Sequence, residues 1–114
     1  MLTGRVVLVI EDEPLVALDI VEGLRLAHAL VRVARGLKDG LRLAGDPKLS
    51  AAIVDLKLSD GDGTALCERL TERGIPFVVY SGYAAQKGSC SGGTFVAKPA
   101  TTHKIVSTIA GLLR

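Results

Sequence analysis

Apolar runs alternate with amphipathic segments along the chain. Val6–Ile10 is a continuous run of valine, leucine and isoleucine, which is typical of a strand buried on both faces of a parallel sheet. Further short apolar runs predict four strands, at 30–34, 51–55, 77–80 and 94–97. Apolar residues at helical spacing predict helices at about 14–29, 37–44, 63–73 and from 102 to the C-terminus. This alternation predicts an α/β fold, a doubly wound sheet of five parallel strands in a three-layer αβα sandwich.

Caps and helix breakers mark the ends of the predicted helices. Pro14 suits the first turn of a helix, where its missing N–H costs nothing. Asp62 is predicted to cap the third helix, and either Thr101 or Thr102 the last one. Residues 83–93 are rich in glycine and serine, which are poor helix formers. A short or missing fourth helix is therefore predicted before the fifth strand.

Length and charge narrow the class of protein. With 114 residues the chain is predicted to form one domain over residues 1–114. Its 14 basic and 12 acidic residues give a formal charge of +2 without a clustered basic stripe, so direct DNA binding is not expected. No apolar run approaches the roughly 18 residues of a membrane span, and the N-terminus lacks the apolar region of a signal peptide. We therefore expect a cytoplasmic protein that does not interact with membranes.

The two cysteines show no recognisable pairing signal in the sequence. Cys67 falls in a predicted helix and Cys90 in the Gly/Ser-rich segment. They do not form a CxxC motif, and no histidine lies nearby in sequence. Both are therefore predicted to be free thiols.

Polar residues stand at the predicted carboxyl ends of four strands. They are Glu11 and Asp12 after the first strand, Asp55 after the third, Ser81 after the fourth and Lys98 after the fifth. In an open parallel sheet these ends meet at one edge, where ligands bind. Taken singly, each residue has a simpler interpretation. The first two acids could merely complement the dipole of the following helix, and the lysine could be a solvated charge in a loop. Together, three clustered carboxylates repel one another unless a cation is bound, and oxygen ligands of this kind suit Mg²⁺, or Mn²⁺.

A carboxylate beside a divalent cation and a lysine can accept a phosphoryl group, because both positive charges offset the charge of the phosphoryl oxygens. The motifs at the strand ends are VLVIEDEP (7–14), IVDLKLSDGDG (53–63), VVYSGY (78–83) and FVAKP (95–99). In these motifs the chain resembles the receiver domain of two-component response regulators, over nearly its whole length. It is most similar to a group of atypical stand-alone receivers from alphaproteobacteria. The resemblance implies a flavodoxin-like sheet with strand order 2-1-3-4-5.

The resemblance also assigns a phosphoryl and metal site. Asp55 matches the aspartate that takes the phosphoryl group from a histidine kinase or a histidine phosphotransfer protein. Glu11 and Asp12 match the acidic pair that holds Mg²⁺ together with Asp55. Lys57 matches the position whose backbone carbonyl completes the metal shell and whose backbone also contacts the phosphoryl group.

A second group of matching residues implies a conformational switch. Ser81 matches the switch hydroxyl, and Gly82 the residue whose backbone N–H binds the phosphoryl group. Lys98 matches the family's lysine, and its bond to Pro99 the family's cis peptide. Phe95 matches the aromatic residue that swings inward when the hydroxyl engages the phosphate, so that the surface around the fourth and fifth strands changes.

The leading hypothesis is thus a phospho-accepting receiver, which catalyses only its own phosphorylation and dephosphorylation. Because no output domain follows Arg114, it is expected to act through a partner, as a relay intermediate, a phosphate sink or a phosphorylation-dependent binder. The alternative is a receiver-like interaction module that works without phosphorylation. A phosphatase with an aspartyl nucleophile would need an acid two residues after Asp12, where Pro14 stands. Leu15 and Leu18 lie off the core stripe of the first helix, which indicates either a kinase-docking patch or partial burial.

Overall fold

The computed structural model describes residues 1–82 and 90–114, and its centre is a sheet of five parallel strands. The order of elements along the chain is β1 (Val6–Ile10), α1 (Pro14–Leu26), β2 (Leu30–Ala34), α2 (Leu37–Leu43), β3 (Ala51–Val54), β4 (Lys57–Leu58), β5 (Gly61–Asp62), α3 (Thr64–Glu72), β6 (Phe77–Ser81), β7 (Thr94–Ala97) and α4 (Thr102–Leu112). The sheet has the order β2-β1-β3-β6-β7. Counting only these five strands, the order is 2-1-3-4-5, and the predicted fold class is confirmed.

Helices cover both faces of the sheet. All five residues of β1 are buried, and they alternate between two apolar clusters because successive side chains of a strand point to opposite faces. Leu8 and Ile10 face the cluster that includes residues of α2 and α3. Val7 and Val9 face the cluster formed with α1 and α4. Burial on both faces explains why β1 is an unbroken apolar run rather than an alternating one.

Hydrogen bonds beyond the strand ends bring the polar residues to one edge. The backbone N–H of Glu11 donates to Ala34 (3.0 Å), and that of Asp55 donates to Ile10 (3.0 Å). On the other side of the sheet, the N–H of Lys98 donates to Ser81 (2.9 Å). The ladder therefore fixes the backbone of the residues that carry the charged side chains.

Two helix ends differ from the sequence-based prediction. α1 ends at Leu26 rather than near 29, because His28 adopts a left-handed φ of 72°, which a continuing helix does not allow. α3 begins at Thr64 with Gly63 at the N-cap position, so the predicted cap at Asp62 is wrong. The reason is the short β4–β5 hairpin, in which Asp62 pairs with Lys57.

Gly63 closes this hairpin against the strand end. Its N–H donates to the carbonyl of Leu56 (2.8 Å), and a Cβ atom here would lie 2.9 Å from the carbonyl oxygen of Asp55. Only glycine fits this approach, which places the start of α3 directly beside Asp55.

The starts of α4 and α2 are capped by side chains. Of the two candidates for α4, Thr101 is the cap, and its hydroxyl accepts from the N–H of Lys104 (3.1 Å). α2 is capped from a distance, since the Asp60 carboxylate accepts from the N–H groups of Leu37 (2.7 Å) and Lys38 (3.2 Å). These bonds lower the pKa of Asp60 below its ordinary value.

The cysteines form a disulfide bond, so the prediction of two free thiols is wrong. Cys67 on α3 and Cys90 before β7 are 23 residues apart in sequence, but their Cα atoms lie 5.0 Å apart. Both are buried in the cluster between the sheet and α2 and α3. The pairing depends on how α3 packs over the sheet, which the spacing of cysteines in a sequence does not reveal.

The short or missing fourth helix was predicted within 83–93, and residues 83–89 lie outside the described part of the chain. Residues 90–93 form turns, and Gly93 packs so closely on Phe77 that a Cβ atom would lie 2.4 Å from its ring. Among the described residues, no helix has the length and apolar character needed to cross a membrane.

Candidate functional site

Three carboxylates meet at the carboxyl edge of the sheet. Glu11 and Asp12 follow β1, and Asp55 follows the neighbouring strand β3. One oxygen of each carboxylate lies within 4.8 Å of the others. Glu11 is only 1% exposed and Asp55 only 5%, so neither charge is well solvated. This convergence is the one expected from the sequence.

Lys98 supplies the positive charge of the cluster. Its Nζ atom donates to Glu11 Oε1 and to Asp55 Oδ2, both at 3.1 Å. Burial of the ammonium disfavours its charge, but the hydrogen bonds to Asp55 and Glu11 outweigh this effect and raise the pKa of Lys98 above its ordinary value. The side chain therefore stays protonated and bridges the two buried carboxylates.

The setting of Glu11 changes its pKa. Burial, followed by its interaction with Asp55, raises the pKa of Glu11 from 4.5 to about 7. The N–H of Glu13 donates to Glu11 Oε2 (3.2 Å), and this bond and Lys98 oppose the rise without cancelling it. At neutral pH the cluster thus attracts a further positive charge, either a proton or a cation.

The donor set of this cluster fits a divalent cation. Carboxylate oxygens are the ligands that Mg²⁺ and Mn²⁺ prefer, usually with several waters retained. Glu11, Asp12 and Asp55 offer three such oxygens within the spacing of a single ion. A bound cation would also offset the negative charge of Asp55, whose interaction with Glu11 adds to the effect of burial on the pKa of Glu11.

A cleft opens beside Asp55. It has a volume of about 340 Å³ and is lined by Glu13, Asp55, Lys57, Ser81, Gly82 and Lys98. The Lys57 backbone N–H donates to Asp55 Oδ1 (3.1 Å), so the two oxygens of Asp55 have different partners. The cleft thus joins a carboxylate to an ammonium, a serine and the backbone of Gly82, a set of groups suited to a small anion.

Ser81 and Phe95 lie on adjacent strands near this cleft. Ser81 ends β6, is fully buried and pairs with Ala97 of β7. Phe95 pairs with Val79, two residues before Ser81. Its ring is partly buried against the cluster on the α2 and α3 side of the sheet. The two predicted switch residues are thus brought close together, and the Lys98–Pro99 bond beside them is cis, as the resemblance implied.

Two residues at the site were not predicted from the sequence. Glu13 lines the cleft. Tyr80 also contacts Lys98, whose Nζ atom lies over the Tyr80 ring, 5.1 Å from its centre. Its hydroxyl also contacts the backbone N–H (3.4 Å) and carbonyl (3.5 Å) of Ala100. The sequence does not reveal the contact with the ammonium, because it depends on the path of the Lys98 side chain.

Comparison with known proteins agrees with this geometry. Residues 7–110 match the family model of the response regulator receiver domain. The phyllosphere-induced regulator PhyR of Methylorubrum extorquens is 34% identical in an alignment of 83 residues, and the match covers 68% of this chain and 30% of PhyR. The chain therefore spans less than a third of that relative's length.

Solved structures share the fold. A response regulator protein from Burkholderia pseudomallei, solved with a phosphorylated aspartic acid, a calcium ion and citrate, is 28% identical with a TM-score of 0.79, and the match covers 96% of this chain and 66% of that one. The response regulator TrrA from Thermotoga maritima, in complex with Mg(2+)-BeF, is 16% identical with a TM-score of 0.85, covering 96% and 99%. The second likeness concerns the fold alone. Because the family model covers most of the sequence, this chain belongs to the response regulator receiver domain family.

Proposed function

We propose that residues 1–114 form a phospho-accepting receiver domain in which Asp55 takes a phosphoryl group from a histidine kinase or a histidine phosphotransfer protein. The observation that carries this proposal is the setting of Asp55. Its carboxylate lines an open cleft, lies in a cluster of acids and accepts a hydrogen bond from Lys98 at 3.1 Å. A carboxylate held in this way is a nucleophile with positive charge beside it.

The transfer itself needs little from the protein beyond positioning and charge. A carboxylate oxygen of Asp55 forms the new P–O bond, the P–N bond of the donor phosphohistidine breaks, and its electron pair returns to the imidazole nitrogen. Lys98 and Gly82 line the cleft, and the ammonium of Lys98 and the backbone N–H of Gly82 would stabilise the charge of the phosphoryl oxygens. We propose that the domain catalyses only its own phosphorylation and dephosphorylation.

A divalent cation, Mg²⁺ or Mn²⁺, is the proposed cofactor. Asp12 and Glu11 would hold it together with Asp55, and the backbone carbonyl of Lys57 would complete its shell. When bound, the cation would offset the charge of the transferring phosphoryl group. The acidic cluster supports this assignment, as do the calcium ion and phosphorylated aspartate of the Burkholderia protein and the Mg(2+)-BeF complex of TrrA.

Phosphorylation is proposed to change the surface around β6 and β7. The Ser81 hydroxyl would turn toward the phosphoryl group, and Phe95 would move into the space it leaves. The position of Phe95 supports this step, because its ring is only partly buried and lies on the strand next to Ser81. A local charge would thus bias two packings of the same cluster.

The kinase is proposed to dock on α1. Leu15 is 77% exposed and Leu18 is 51% exposed, which favours a docking patch over partial burial, and both lie in the helix that begins beside the acidic cluster. Because histidine kinases use ATP, we place the protein in the cytoplasm. We assign it no nucleic-acid or membrane partner.

Incubation with Mg²⁺ and acetyl phosphate, followed by intact-mass analysis, tests the proposal. The wild-type protein should gain one phosphoryl group, and Asp55→Asn should gain none. A folded wild-type protein that gains none, or an Asp55→Asn variant that gains as much, would contradict it. The first result would favour an interaction module that works without phosphorylation.

A further inference from the structure

The disulfide bond lies in the same cluster as the proposed switch residue. Cys67, Cys90 and the core residues Phe77 and Val79 belong to one buried group, and Phe95 packs against it. Val79 and Phe95 are also paired across β6 and β7. A movement of Phe95 therefore requires this cluster to repack, because protein interiors leave few voids.

The disulfide joins two elements of the fold, α3 and the turn that precedes β7. Cys67 lies in the middle of α3, whose first turn follows the Asp55 loop. Cys90 begins the turn at 90–93, which leads directly into β7 and so to Phe95. A covalent bond between them limits how far the start of β7 can shift relative to α3.

Local structure favours attack at Cys90 rather than at Cys67. Cys67 is fully buried on a helix, whereas Cys90 is followed by the exposed residues Ser91 and Gly92. The contacts of the turn at 90–93 include a backbone bond from the Gly93 N–H to the Cys90 carbonyl (3.1 Å) and the packing of Gly93 on Phe77. Opening this turn would expose the Cys90 sulfur without unfolding α3.

We propose that Cys67 and Cys90 form a reversible oxidation site whose state controls how readily the receiver is phosphorylated at Asp55. The disulfide restrains the cluster in the packing described above and so opposes the movement of Phe95. The reduced dithiol form lets the cluster repack and is phosphorylated more readily. The control of phosphorylation rests on the proposed function, whereas the oxidation site does not.

The chemistry is a two-electron oxidation by a peroxide. The Cys90 thiolate attacks one oxygen of hydrogen peroxide, the O–O bond breaks, and a sulfenic acid and one water form after proton transfer. The Cys67 thiol then displaces the hydroxyl as a second water and forms the S–S bond. In reverse, a dithiol reductant returns two electrons by two exchange steps and is itself oxidised to a disulfide. In the cytoplasm, where we place the protein, disulfides are usually transient and redox-sensing.

Coupling of this kind acts in both directions. If the reduced form binds a phosphoryl group or its mimic more tightly, then binding of the mimic must favour reduction by the same factor. We expect a factor of about five, at the lower end of measured couplings between sites.

The experiment compares oxidised and reduced protein. Wild-type protein is treated with hydrogen peroxide or with dithiothreitol, and free thiols are counted by alkylation and intact mass. The affinity for beryllofluoride with Mg²⁺ is measured by calorimetry, and the fraction phosphorylated by acetyl phosphate is measured in parallel. The reduced form should expose two alkylatable thiols, the oxidised form none, and the reduced form should bind beryllofluoride about five times more tightly.

The double variant Cys67→Ala/Cys90→Ala is the matched control. It lacks the bond in both conditions, so its affinity should match reduced wild type and should not respond to either reagent. Equal affinities of oxidised and reduced wild type would overturn the coupling. Thiols that remain alkylatable after peroxide treatment would overturn the oxidation site. If neither form binds beryllofluoride or becomes phosphorylated, the proposed function and the coupling both fail, and the thiol count still decides the oxidation site.

Discussion

The raised pKa of Glu11 predicts that the metal-free protein is more stable in mild acid than in mild base. The folded-state pKa is about 7 against 4.5 for an ordinary glutamate, so the folded protein binds this proton more tightly than the unfolded chain does. The stabilisation is fully present below pH 4.5 and is lost as the pH rises through 7. Since each pKa unit corresponds to about 1.4 kcal/mol, the free energy of unfolding should fall by about 2.5 kcal/mol between pH 5 and pH 8.

Lys98 and Asp60 also have shifted pKa values, but their contributions to the free energy of unfolding do not change between pH 5 and pH 8. Lys98 has a raised pKa, so its contribution is lost only above its ordinary value of 10.5. Asp60 has a lowered pKa, so its contribution is lost only as the pH falls below its ordinary value of 3.8. Neither loss falls between pH 5 and pH 8. The pH dependence within this range is therefore assigned to Glu11.

Urea unfolding followed by far-ultraviolet circular dichroism measures the effect, with a chelator present, constant ionic strength and the disulfide kept oxidised. Glu11→Gln is the matched variant, because it keeps the size of the side chain and cannot titrate. The difference between wild type and variant should change by about 2.5 kcal/mol across the range. In a second series, Mg²⁺ replaces the chelator. The ion should then stabilise wild type more at pH 8 than at pH 5, because protons compete with the ion at low pH. Parallel pH profiles of wild type and Glu11→Gln would refute the reasoning.

Three further predictions concern Lys98, Tyr80 and the exposed leucines of α1. Lys98→Ala should slow phosphorylation by acetyl phosphate about 100-fold, because it removes the ammonium beside the acceptor; a rate within a few fold of wild type would contradict this role. Tyr80→Leu should lower the rate of phosphorylation by acetyl phosphate about threefold, because it removes the ring next to the ammonium. Tyr80→Phe should keep most of the rate. Equal rates in the two variants would exclude a role for the ring. Replacing Leu15 and Leu18 by alanine should weaken transfer from a cognate kinase about tenfold and leave acetyl phosphate labelling unchanged. Leu26→Ala is the control, since Leu26 is 83% exposed at the other end of α1, and an equal loss there would argue against a docking patch.

The strands of the sheet could be predicted because each one is marked by a short apolar run within the strand itself. β1, β2 and β7 have the predicted bounds, since an apolar run between turn residues leaves little choice of register. The strand ends then fix which polar residues meet, and the rule that ligands bind at the carboxyl edge brings Glu11, Asp55 and Lys98 together. The fold and the charged part of the site therefore follow from patterns in the sequence.

Contacts between distant elements were not predictable. The Cys67–Cys90 bond depends on the placement of α3 against the turn before β7. The cap of α2 comes from Asp60, more than 20 residues away in sequence. In each case the partner is chosen by packing between elements, which neither periodicity nor residue spacing records.

Tyr80 and Ser81 connect the acidic site to opposite faces of the sheet. Tyr80 belongs to the cluster under α1 and α4, whereas Ser81 follows Val79 at strand spacing and so faces the other cluster, which holds the disulfide. Loss of the Tyr80 ring would act through Lys98, and reduction of the disulfide would act through Phe95. If the two routes are independent, their effects on the beryllofluoride affinity add, and Tyr80→Leu shows the same fold-change on reduction as wild type. A smaller change in Tyr80→Leu would mean that one continuous network, rather than two independent faces, links the disulfide to Asp55.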